Sequence, residues 1–197
     1  PLVAGAPERM EEALRGLAVL DRAAAREEAK RLAEEAEGEG RLSGMIRSLQ
    51  VFPSAEAQHD WLVGQGWPLG GGISPEPSLL DVLVDHGFAT EVPFDGRPPH
   101  VLLAFEPTLA DVQMTFLAPT QAGEHGVLYA YAEGWRYRVL TKSRLDVVDQ
   151  SVGLLNVLLA DRSSDARLGV RWGRGVATRM VVRGTGAQLR ALDEYEP

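Results

Sequence analysis

"DARLGVRWGRGVATRMVVRGTG", residues 165–186, decides how the second half of the chain is read. Two runs of period two flank the Gly-Arg-Gly at 173–175, so 166–172 and 176–183 read as the strands of a hairpin. On that reading Arg167, Arg171, Arg179 and Arg183 make its polar face. Leu168, Val170 and Trp172 fall on the other side. An earlier run, "WRYRVLTK" (135–142), alternates Arg136 and Arg138 with Trp135, Tyr137 and Val139. If these strands share a sheet, one face carries up to six arginines and the aromatics turn to the core. Such a face suits single-stranded nucleic acid, a partner protein, or the acidic residues of the chain's own helix at 27–39.

The flanking segments set the class. "SRLDVVDQSVGLLNVLLADRSS" (143–164) reads as a helix with Ser143 as its cap. Leu145, Val148, Val152, Leu155 and Leu159 follow a period of 3.6. Leu154, Val157 and Leu158 widen that stripe, and they are either dimer or client contacts or plain core. "HVLLAFEP" (100–107), "DVQMTFLAP" (111–119) and "GVLYAYAEG" (126–134) read as further strands, and "TGAQLRALDEYE" closes the chain as a helix capped by Thr185. Short turns between the strand runs call for antiparallel pairing.

Upstream, residues 7–37 read as one long helix with a narrow, Ala-rich stripe. Pairs such as Glu11–Arg15 and Glu27–Arg31 support its exposed side. A short helix is expected over 41–49, a second after the Ser54 cap, and a third from Ser74-Pro75 to Gly87. Gly70–Gly72 is a joint. The division expected is a helical segment over 1–73 and, over 74–197, an α+β domain: a largely antiparallel sheet with helices on one face.

The chain has 197 residues, 45% of them apolar, no cysteine and a formal net charge of −8. Disulfides, thiolate chemistry and cysteine-bound zinc are thereby excluded. No leader peptide and no apolar run of membrane-spanning length is readable, so a cytoplasmic protein is expected. Charge is uneven: residues 134–190 hold 11 basic and 4 acidic side chains, whereas 1–133 hold 9 and 21.

No motif carries chemistry. His59, His86, His100 and His125 are not spaced as metal ligands. Asp81, Asp85 and His86 read as the solvated face of a helix, and Asp146 and Asp149 as acids at a helix start. Ser43, Ser74 and Ser78 lie in no nucleophile elbow, and the glycine clusters match no phosphate loop. No catalytic residue, metal site or cofactor is expected.

The element order of residues 74–192 resembles the YbjN-like family and the type III secretion chaperone fold. The likeness rests on Asn156 within "VGLLNVLLADRSSDARLGVRW", on the Gly-marked strand "RLGVRW" and on the basic strand "ATRMVVRG". It extends, within that family, to the member that binds the DdrB single-strand-binding protein. The resemblance implies a non-enzymatic homodimer that binds a protein client, the client in that case being a single-stranded DNA-binding protein. The alternative is direct single-stranded nucleic-acid binding through Arg136, Arg138, Arg167, Arg171, Arg179 and Arg183.

Overall fold

The computed structural model describes residues 7–33, 41–93, 115–122, 125–132, 135–141, 147–161, 164–173 and 178–195. The helices are α1 (Pro7–Leu20), α2 (Arg22–Ala33), α3 (Arg41–Val51), α4 (Ala55–Gly64), α5 (Leu79–Asp85), α6 (Val147–Asp161) and α7 (Gly186–Leu192). The strands are β1 (Ala89–Pro93), β2 (Thr115–Ala122), β3 (His125–Ala132), β4 (Trp135–Thr141), β5 (Ala166–Trp172) and β6 (Thr178–Thr185). The class is α+β, with helices at the N-terminus.

The long N-terminal helix is broken. Asp21 separates α1 from α2, and its Oδ1 accepts from the Ala24 amide at 3.0 Å, in the manner of an N-cap. Ala-rich stripes then let α1, α2 and α3 close on one another around Leu14, Ala18, Ala25, Ala29, Leu32, Met45, Ile46 and Leu49. Small side chains at 18, 25 and 29 permit that approach. Arg26 ties the bundle further, donating from Nε and Nη2 to the carbonyls of Leu49 and Gln50 at the end of α3.

α4 starts as expected, with Ser54 Oγ accepting from the Ala57 amide at 3.2 Å. α5 does not. Its cap is Ser78 rather than Ser74, and Ser78 Oγ accepts from the Asp81 amide. Pro77 explains the delay, because a proline disfavours helical geometry in the residue before it. Ser74 instead donates to Asp85 Oδ2. Just past α5 stands Gly87, φ +76°, where the Gly87 and Phe88 amides donate back to the Val84 and Leu83 carbonyls. That is the paired closure that favours glycine after a helix.

Two three-stranded sheets stand where one was expected. One has the order β1-β6-β5 and the other β2-β3-β4. The pairs β2–β3, β3–β4 and β5–β6 are antiparallel. The strand expected over 100–107 and the Ser143 cap lie outside the described residues; β1 was not foreseen. α6 packs against β5 and meets β4.

The chain forms two compact units, Pro1–Ala89 with Ala187–Pro197, and Thr90–Gly186. The boundary expected at 73/74 therefore falls inside the first unit. Gln58 Nε2 donates to the Pro77 carbonyl at 2.8 Å, and Arg15 reaches Glu76 and Asp81. These contacts hold residues 74–88 to the N-terminal helices. The C-terminal α7 returns to the same unit, where Tyr195 packs tilted against Phe52 and edge-on to Trp61, with ring centroids 5.4 and 5.2 Å away.

Candidate functional site

The register of the β5–β6 hairpin redistributes the arginines. Trp172 pairs with Arg179, Val170 with Val181 and Leu168 with Arg183. Directly opposed residues share a face. Arg179 and Arg183 therefore lie with Leu168, Val170 and Trp172. Arg167 and Arg171 lie on the other face, across from Gly184 and Met180. The four arginines do not form one basic face. Alternation along each strand was readable in the sequence; the phase between the strands was not.

That phase builds a contact the sequence did not announce. The Arg179 guanidinium stands over the Trp172 ring, 4.3 Å from its centroid, and Trp172 is 40% exposed. A guanidinium over an indole is attractive through the ring quadrupole. Gly173 makes the position possible: a Cβ there would come within 2.6 Å of the Thr178 backbone. Thr178 Oγ1 in turn donates to Glu91 on β1 at 2.7 Å. Arg171 Nη1 and Arg167 Nη1 donate to nearby backbone carbonyls on β5 and just before it.

Arg136 and Arg138 belong to β4, in the other sheet, so they share no sheet face with the hairpin arginines. Their cross-strand partners are Tyr131 and Tyr129. The aromatics next to the arginines in sequence, Trp135 and Tyr137, alternate to the opposite face, but β3 supplies two tyrosines on the arginine face. Sequence alternation alone missed this second source of aromatics.

α6 presents its three candidate contacts differently. Leu158 is buried, 2% exposed, and is a core residue of its own chain rather than an interface residue. Val157 is 54% exposed, and Leu154 is half-buried. Between them Asn156 addresses the strand β5. Its Nδ2 donates to the Leu168 carbonyl at 2.9 Å, and its Oδ1 accepts from the Leu168 amide at 2.7 Å. The side-chain amide thus takes the place of a neighbouring strand at the edge of β5.

In the first unit Arg15 gathers three carboxylates. Asp81 is fully buried, not on a solvated face, and lies 2.9 Å from Arg15 Nη2. Arg15 also meets Glu11 at 2.9 Å and Glu76 at 3.0 Å. Its guanidinium fork binds carboxylates from α1, from α5 and from the segment between α4 and α5. Burial pulls the Arg22 guanidinium below its ordinary pKa, with Glu56 opposing the shift. Arg22 donates to Gln58. The rings of His59 and His86 stand 6.2 Å apart, tilted. Among the described residues no three His, Asp or Glu side chains group as a metal site. His100 and Asp146 lie outside them.

No described helix is long and apolar enough to cross a membrane. No protein-family model, curated protein or solved structure matches the chain.

Proposed function

We propose that this chain is a non-enzymatic, protein-binding adaptor or chaperone-like homodimer of the cytoplasm, related to YbjN-like proteins. Its client on this reading is a protein of nucleic-acid maintenance such as a single-stranded DNA-binding protein. The observation that carries it is the exposed Trp172 under the Arg179 guanidinium. Tryptophan and arginine dominate the energetics of protein interfaces. A tryptophan already held by its neighbours loses little freedom when a partner covers it. Val157 adds an exposed apolar position on α6.

The test compares the tagged chain with its Trp172→Ala and Val157→Asp variants in capture from nuclease-treated lysate. One protein should dominate the wild-type eluate. Its affinity for purified Trp172→Ala should fall by roughly 30-fold, as for an interface anchor worth about 2 kcal/mol. Equal capture by all three chains overturns the assignment to this surface. Light scattering on the same samples reads the oligomeric state; a wild-type monomer removes the homodimer.

A further inference from the structure

We propose that the β2-β3-β4 sheet binds single-stranded nucleic acid on the face that carries Tyr129, Tyr131, Arg136 and Arg138. The inference goes beyond the protein-binding surface and uses none of its residues.

It starts from register. Tyr131 pairs with Arg136, and Tyr129 with Arg138. Thr115 and Leu117 of β2 pair with the same tyrosines. All six positions therefore share one face of a continuous sheet. The opposite face takes Phe116, Leu128, Trp135, Tyr137 and Val139 and bears no charged residue. It has the composition of a face that packs into a core.

Charge on the three strands is then one-sided in both senses. Their only lysine, arginine, aspartate or glutamate residues are Arg136 and Arg138, and both sit on the tyrosine face. An anionic chain meets cations there and no strand carboxylate. Glu124 and Glu133 lie outside the described residues.

The tyrosines give the occupant its identity. Two residues apart on one strand, Tyr129 and Tyr131 are spaced roughly 7 Å along it. Opposite each stands a cross-strand arginine, with a Cβ separation of about 5 Å. An acidic peptide would use the arginines and leave the tyrosines idle. A single strand uses both, phosphates on guanidinium and successive bases on aromatic rings. A duplex hides its base faces and gains nothing from the rings.

The β2 edge of this sheet is unsuited to strand addition. β2 carries Pro119, and its register slips between Leu117 and Thr120. A proline and a bulge blunt an edge against pairing.

The test is fluorescence anisotropy of the full chain with labelled oligo(dT), oligo(U) and a duplex at low salt. Both single strands should bind more tightly than the duplex; a preference between them tells DNA from RNA. Tyr129→Leu/Tyr131→Leu keeps apolar bulk and should weaken binding by roughly tenfold or more. Arg136→Gln/Arg138→Gln should lower the magnitude of the salt slope by about 1.4, for two phosphate contacts on a single strand. Ultraviolet cross-linking of wild-type protein to oligo(dT), mapped by mass spectrometry, needs no folded variant and should mark Tyr129 or Tyr131. No binding at low salt, duplex binding as tight as single-strand binding, or cross-links confined to other segments overturns the proposal.

Discussion

Asn156 shows how much one side chain can settle. It satisfies both backbone groups of Leu168 from a neighbouring helix. Asn156→Leu removes both bonds and strands a strand amide and carbonyl beside an apolar group. The expected loss is about 1–3 kcal/mol in urea denaturation. Asn156→Asp, which keeps the acceptor and loses the donor, should fall between. An unchanged midpoint for Asn156→Leu would show that water replaces the amide. Arg15 is the corresponding residue of the first unit. Asp81 is fully buried against it. Arg15→Met leaves that carboxylate without its cation, which costs roughly 3–5 kcal/mol in comparable buried pairs. The double variant Arg15→Met/Asp81→Asn should recover part of the loss, because the charge to be compensated is gone. Denaturant midpoints of the three proteins check this; a double variant no better than the single would place the cost in packing. Asp81 reads from the sequence as part of a solvated helix face and not as a buried acid, because its partner stands 66 positions earlier in the chain.

Elements were more readable than their assembly, for a physical reason. Capping and alternation are local, so Ser54, Gly87 and the two hairpin strands could be placed from their neighbours in sequence. Register, sheet membership and the bend at Asp21 depend on partners distant in the chain. Hence six arginines with correct alternation were assigned to one face, while the structure divides them over two sheets and, within the hairpin, over two faces. α4 shows a local rule carrying a pH dependence. Glu56, two residues past the Ser54 cap, accepts from its own amide and from the Ser54 hydroxyl, and both bonds hold its carboxyl below the usual glutamate range. A carboxyl depressed on folding stabilises the native state above its ordinary range, and the gain disappears as pH falls through the folded value. Glu56→Gln should therefore lower the midpoint at neutral pH and match wild type in acid below the carboxylate range. Urea melts at the two conditions check it. A difference that persists in acid would assign the effect to side-chain shape. Ser54→Ala should cost about 1 kcal/mol at neutral pH.

At the scale of the whole molecule, sequence order and spatial order diverge. Composition led to a helical segment followed by an α+β domain, and the class was right. The grouping was not legible, because the last eleven residues join the first unit rather than the second. The sequence of α7 carries only an ordinary amphipathic pattern. What returns it is packing: Leu189 and Leu192 are buried, and Tyr195 lies edge-on to Trp61 and tilted against Phe52. A chain truncated after Gly186 should then lose stability in the unit far away in sequence and keep it in the unit adjacent to the cut. Phe52, 5% exposed in the intact chain, and Trp61 both lose the Tyr195 ring. Aromatic contacts of this kind contribute about 0.5–1.5 kcal/mol each beyond the area they bury. Burial of Leu189 and Leu192 adds about 1.5–3 kcal/mol apiece at the upper bound. Amide exchange read by mass spectrometry gives the discriminating outcome. Protection should fall across α3 and α4 while β5 and β6 keep theirs, since the Asn156–Leu168 bonds and the hairpin register do not involve α7. Uniform loss over both units would mean that they unfold as one cooperative body, and loss confined to β6 would mean that α7 serves only as its continuation.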